Sequence, residues 1–245
     1  MAFNLRSNLI KPILKTMLWI FALIAVIYAL ILLLLFHYQE KFIFLPDKLE
    51  QNFVFKFDTQ FEEKFIETSD NQNLHGLLFQ AKESKGLVFY LHGNEGAVNS
   101  WGFLNDLYTN RGYDLFILDY RGYGKSSGSI SNEKQFLDDI ELAYAEISKS
   151  YVDSQIVIIG HSLGTYPATV LASKHQPKLL MLLSPYYSMQ DLVLSKYPLV
   201  PEFILKYKFR TDEYIKHIAC HVVIIHGQND KLINVESSKR LKELA

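Results

Sequence analysis

The sequence predicts an α/β fold, a mostly parallel sheet flanked by helices, carried behind one membrane-spanning helix. Three observations predict it. Residues 17–36 read MLWIFALIAVIYALILLLLF without one charge. Five later runs, GLVFYLHG, DLFILDYRG, IVIIGHS, LLMLLS and HVVIIHG, are short and almost wholly apolar, as strands buried on both faces must be. The stretches between them have helical spacing, as Phe136, Ile140, Ala143, Tyr144 and Ile147 do within 132–151.

Residues 1–16 form a basic tail with Arg6, Lys11 and Lys15. Residues 17–36 as a helix reach about 30 Å, the depth of a bilayer's hydrocarbon core. The run is too long for the apolar region of a cleaved signal peptide, and no small-x-small site follows it, so an uncleaved single-pass anchor is expected. No acid precedes Glu40, so the positive-inside rule puts the N-terminus in the cytoplasm and the chain after Phe36 on the opposite side. Residues 37–60 read as a membrane-proximal segment and 61–245 as the globular domain.

That domain opens with a hairpin, EEKFIETS and NLHGLLFQA about the turn 70–73. Its strands then alternate with helices, and ligands of such sheets bind beyond the C-terminal strand ends. Lys and Arg number 25 against 26 Asp and Glu, a balance that excludes nucleic acid as partner. The single cysteine, Cys220, allows neither an intramolecular disulfide nor a zinc site, and no metal or cofactor is expected. The 15 Tyr and 17 Phe suit a large core and an apolar substrate surface.

Gly160-His161-Ser162-Leu163-Gly164 follows the run IVII directly and precedes a helix-compatible stretch, 165–174. A serine between two such glycines, at a sharp turn from strand to helix, is exposed as a nucleophile at the sheet's edge. Acyl transfer also needs two backbone N–H donors for the oxyanion. Leu163, after the nucleophile, supplies one, and Asn94 of HGNEG, at the end of GLVFYL, the other. Asp230 of HGQND, at the end of HVVII, is the carboxylate expected to orient an imidazole; Asp191 is the alternative. The segment 185–220 is rich in Tyr and Phe and reads as a cap insert. Its rings serve either an acyl or aromatic substrate group, or the domain's own helices and the lipid surface.

HGNEG, LDYRGYGKSSG (118–128), GHSLG and IHGQND, with the anchor followed by YQEKFIFLP (38–46), resemble the α/β-hydrolase superfamily. Within it they are most similar to the membrane-anchored group related to the Bem46 protein, and are also similar to serine aminopeptidase S33-type hydrolases. The resemblance runs from about Leu18 onward. It implies Ser162 as nucleophile, Asp230 as acid, Asn94 and Leu163 as oxyanion hole, and a structural loop without chemistry at Arg121-Gly122-Tyr123-Gly124.

One feature departs from that pattern. The order is serine, acid, histidine, yet all eight histidines precede Asp230 and 15 residues follow it. The intervening helix, strand and loops take roughly 20 to 30 residues. His226, inside the segment that positions the acid, is poorly placed to serve. The chain as given is therefore expected to stop before its catalytic histidine, with a C-terminal strand and helix missing. The sequence thus predicts a serine hydrolase of esters, thioesters or amides, acting through an acyl-enzyme on a small-molecule or acyl substrate and inactive in this form. The alternative is an inactive relic serving as a membrane-bound binding module.

Overall fold

The computed structural model describes residues 3–245, with side chains from residue 12, so Arg6 and Lys11 lie outside the described side chains. The chain forms two compact units, Met1–Gln39 and Glu40–Ala245.

The first helix, α1 (Phe3–Ile43), contains within Pro12–Ile43 an 18-residue window of mean hydropathy 3.0, none of it buried. It is long and apolar enough to cross a membrane, as a single-pass protein requires. It outruns 17–36 at both ends, through Pro12 on one side and on the other through His37 to Lys41, which carry no helix breaker.

In the second unit, nine strands form β1 (Leu45–Pro46), β2 (Phe61–Glu67), β3 (Asn73–Phe79), β4 (Leu87–Leu91), β5 (Glu95–Gly96), β6 (Asp114–Asp119), β7 (Ile156–His161), β8 (Leu179–Leu183) and β9 (His221–Ile225). Seven make one sheet in the order β2-β3-β6-β4-β7-β8-β9, while β1 pairs with β5. The β2–β3 and β3–β6 pairings are antiparallel, so the expected hairpin is present, and β6 through β9 run parallel.

The central runs are buried on both faces. Every residue of β4 and β6 is buried, and alternate residues serve different cores. Leu87, Phe89 and Leu91 join Phe116, Ile158 and Tyr144 on one side. Val88 and Tyr90 join Leu115, Ile117, Val157 and Ile159 on the other. The connections carry α2 (Val98–Trp101), α3 (Asn105–Thr109), α4 (Glu133–Ile147), α5 (Thr165–Lys174), α6 (Met189–Lys196), α7 (Thr211–Tyr214) and α8 (Glu236–Lys242). Asn132 caps α4 by accepting from Gln135 N–H, and the five residues at helical spacing are the helix's buried stripe. At the sheet's far edge β9 has one neighbour and leaves Val223 and Ile225 exposed.

Candidate active site

The two central parallel strands, β4 and β7, end side by side, with Leu91 opposite Gly160. The chain leaves β7 through Ser162, whose φ of 49° lies in the left-handed region. That conformation costs a side-chain-bearing residue about 1–2 kcal/mol. A 3-10 turn, Ser162–Gly164, leads into α5, and Thr165 Oγ1 donates to Ser162 O at 2.6 Å. The flanking glycines are there for space. A Cβ on Gly160 would meet Gly164 O at 2.4 Å, and one on Gly164 would meet Leu91 O at 2.1 Å.

Beyond β4 the loop 92–96 runs beside this turn. Asn94, Ser162 and Leu163 line one cavity of about 370 Å³. Its other walls include Phe42 and Ile43 at the end of α1, Tyr186, Met189 and Leu192 of the segment 185–220, and Leu232. The expected oxyanion donors therefore border the same space as the expected nucleophile, and that space is largely apolar.

Asp230 sits in the loop after β9. Its Oδ1 accepts from Leu232 and Ile233 N–H, each at 2.9 Å. Partial burial raises its pKa, but these two donors, with His226 beside it, outweigh burial and hold the carboxyl below its ordinary value. It is thus both a turn former and a fixed anion, and its loop reaches the cavity through Leu232 and Ile233. Asp191, the alternative acid, pairs with Arg240 at 2.9 Å.

Among the described residues no histidine hydrogen-bonds Ser162. The Ser162 hydroxyl has no hydrogen-bond partner among the described residues. Both nitrogens of His226 are occupied, Nδ1 by Ser238 Oγ at 2.6 Å and Nε2 by Ile233 O at 2.9 Å. His161 packs on Trp101 with ring centroids 5.1 Å apart, and its buried Nδ1 has no partner. Burial lowers its pKa, partly countered by Asp230. His92 is wholly buried; burial lowers its pKa and keeps it neutral, and its Nδ1 donates to Gly93 O at 2.7 Å. His75 and His175 are bound by carboxylates, His75 by Glu63 and Asp119 and His175 by Glu141.

The tyrosines around Arg121 are what sequence reasoning missed. Arg121 grips two carboxylates, Asp70 and Asp139, at 2.6–3.1 Å. Tyr120 and Tyr123 turn inward and donate to carbonyls of the loop 92–96. Only the Tyr-x-x-Tyr spacing signalled this, and nothing in it says which backbone the hydroxyls meet.

Of the aromatic rings in 185–220, Tyr186, Tyr207 and Phe209 are buried, the last two against Phe44. Phe203 and Tyr197 are exposed, and Tyr197 lies on the cavity.

The description "Serine aminopeptidase, S33" belongs to the family model that matches residues 82–211. The chain belongs to this hydrolase family. Its members share the α/β-hydrolase fold expected from the motifs. The lysophosphatidylserine lipase ABHD12 of Danio rerio is 31% identical over 189 residues, covering 67% of this chain and 48% of that protein. The Macaca fascicularis protein of the same name is 29% identical over 66% of this chain and 46% of its own length. The chain thus spans about half the length of these curated relatives. Among solved structures, an esterase of Pyrococcus furiosus matches with a TM-score of 0.64 at 20% identity, covering 82% of this chain and 83% of that one. At that identity the match speaks for the fold alone.

Proposed function

We propose that this S33-family chain carries the acyl-transfer half of a membrane-anchored serine hydrolase that cleaves lipid esters bearing one acyl chain. The observation that carries the reading is Ser162, held with left-handed backbone at the mouth of an apolar cavity it shares with Asn94 and Leu163. Ser162 Oγ attacks the ester carbonyl carbon and forms the new C–O bond as its proton passes to a base. The carbonyl electron pair becomes the oxyanion, met by the N–H groups of Leu163 and Asn94. Collapse breaks the bond to the alcohol, which leaves with the proton the base took. Water then repeats the sequence on the acyl-enzyme and releases the carboxylic acid.

Asp230 is the acid of this scheme. The resemblance implies a histidine as the base, and none of the described histidines hydrogen-bonds Ser162. With no imidazole bonded to Ser162, turnover falls below that of a complete triad by on the order of 10⁴ to 10⁶. The size and lining of the cavity support the substrate class. About 370 Å³ walled by Phe42, Ile43, Met189 and Leu192 is at the small end for ligand pockets, which favours one chain over two. The curated relatives' name, lysophosphatidylserine lipase, points the same way. With Arg6, Lys11 and Lys15 before the anchor, the domain lies opposite the cytoplasm.

The test is chemical rescue. Ester hydrolysis by the 245-residue chain should rise with added imidazole above the Ser162→Ala background, and with imidazole present as base a fluorophosphonate should label the chain only when Ser162 is present. Labelling that persists in Ser162→Ala would remove the reading.

A further inference from the structure

The loop 92–96 has little regular structure of its own, yet every carbonyl oxygen in it is occupied. Tyr120 Oη donates to His92 O at 2.7 Å, His92 Nδ1 to Gly93 O at 2.7 Å, Tyr123 Oη to Asn94 O at 2.8 Å and Trp101 Nε1 to Glu95 O at 3.0 Å. Asp47 N–H donates to Gly96 O at 3.0 Å, and Leu45 N–H adds a second bond to Asn94 O at 2.9 Å. Leu45 N–H also lies 3.1 Å from Tyr123 Oη. Two of the donors therefore come from β1 and the residue after it, the chain that directly follows α1.

A peptide unit is planar, so holding a carbonyl also sets the direction of the next residue's N–H. Gly93 O, held by His92, orients the Asn94 N–H. Asn94 O, held by Tyr123 and Leu45, fixes the plane on the other side of the same residue. The donors are rigid in turn. The Tyr123 ring is buried against His92 and Tyr120 with centroids 5.4 and 5.5 Å away. The strand β1 is locked at its far end, where Gly124 N–H donates to Asp47 O at 2.8 Å. Gly124 and Tyr123 are neighbours, so one turn holds both the loop and the strand that pairs with it.

We propose that Tyr123, acting with residues 45–47, is a positioning residue for the oxyanion hole, so that the segment joining the membrane helix to the domain sets the direction of the Asn94 N–H. This rests on the reading of Asn94 as an oxyanion donor. A phenol that only filled space would pack as phenylalanine does. Here the hydroxyl and a strand N–H converge on one carbonyl beside the nucleophile.

The test uses the full chain in detergent micelles, with imidazole added as base for the labelling, and Tyr123→Phe, which keeps the ring and leaves Asn94 O its bond from Leu45. Leu45→Pro is the second variant, removing the strand donor and leaving the phenol. Tyr113→Phe, whose hydroxyl accepts from Lys178 at the surface, is the control. Each of the first two variants should speed hydrogen exchange in the peptide spanning 92–98 by about tenfold, leaving the peptide over α4 unchanged. Each should also slow fluorophosphonate labelling of Ser162 by about tenfold through the inactivation step at unchanged inhibitor affinity. Wild-type exchange in the loop of both variants would overturn the proposal, and so would faster exchange with wild-type labelling. Failure of Ser162 to label in the unaltered chain would instead sink the catalytic reading. The exchange measurement would then still decide whether Tyr123 holds the loop.

Discussion

Replacing Gly164 by alanine adds one methyl group at the point where the turn carrying Ser162 touches the end of β4 and the loop 92–96. Its backbone is not among those with positive φ, so alanine meets no conformational penalty, and the whole effect is steric. The new Cβ would lie 2.1 Å from Leu91 O, 2.6 Å from Leu91 C and 2.8 Å from His92 O. Relief of the tightest of these contacts needs a separation of about 1 Å more between the turn and the end of β4. The atoms met are backbone atoms of two buried residues, Leu91 at the end of β4 and His92 just beyond it, so no side chain can swing aside. Overpacking of this kind costs about 1–3 kcal/mol, which lowers Tm by about 2–12 °C in a domain of this size. The displacement falls between Ser162 and the residues that carry Asn94, where an error of about 1 Å costs on the order of 10² in rate. The assay pairs thermal melting with the fluorophosphonate labelling rate. Gly227→Ala is the control, because nothing lies within 4 Å of a Cβ there, and it should leave both readouts unchanged. A Gly164→Ala protein that melts and labels like the parent would refute the argument that this contact fixes the site.

Strain at the nucleophile should show as a trade between stability and function: Ser162→Gly, which accepts a φ of 49° freely, should be more stable than Ser162→Ala by about 1 kcal/mol in urea unfolding. Stability should also fall on acidification, because His92 has a pKa below 6.5 when folded. Below that value the unfolded chain takes a proton that the folded chain refuses, so stability rises with pH at up to about 1.4 kcal/mol per unit. Urea midpoints between pH 7.5 and 5.5 should lose part of this slope in His92→Asn. For the anchor, alkaline carbonate should leave the chain in the membrane. Protease applied from the cytoplasmic face should spare residues 61–245, and digestion from that face alone would reverse the proposed orientation.

The fold was legible because its signals are local. The apolar runs that form β4, β6 and β7 are continuous, and a continuous run bounded by glycine admits few readings other than a doubly covered strand. The elbow was legible for the same reason, since strand, serine and helix are consecutive in the chain. What was not legible lies across sequence distance. The segment 37–60 reads as membrane-proximal, but from Glu40 onward it belongs to the compact second unit. Phe42 and Ile43 wall the cavity and Phe44 is in the core. No periodicity in YQEKFIFLP signals this, because its partners, Asn94 and Tyr123, lie far along the chain, Tyr123 being 78 residues after Leu45. The loop Arg121-Gly122-Tyr123-Gly124 read as a bare glycine connection because only its glycines have a local meaning. Its tyrosine hydroxyls acquire theirs from where the turn folds them. The aromatic rings of 185–220 differ in burial, Tyr186, Tyr207 and Phe209 being buried and Tyr197 and Phe203 exposed, since burial there depends on tertiary packing and not on composition.

The register of two strands explains why these distant motifs meet. Parallel neighbours lie about 4.8 Å apart, and here Leu91 faces Gly160 across that gap. Asn94 is the third residue after Leu91 and Leu163 the third after Gly160, so both proposed donors leave the sheet at the same height. The chain reaches that point by a change of direction in the sheet. From β4 it passes to β6 on one side and then crosses to β7 on the other. The loops after β4 and β7 therefore diverge and open a crevice between them, as they do wherever strand order reverses in such sheets. Glycine at 160 and 164 lets the second loop come close enough to the first to share it, and the hydroxyls of Tyr120 and Tyr123 keep the first from following. A shift of one residue between β4 and β7 would reverse which faces of β4 meet the two cores. Phe89, at 0% exposure, would then change sides with Tyr90, at 2%. The packing that forbids that slip is also what sets the distance between Ser162 and Asn94.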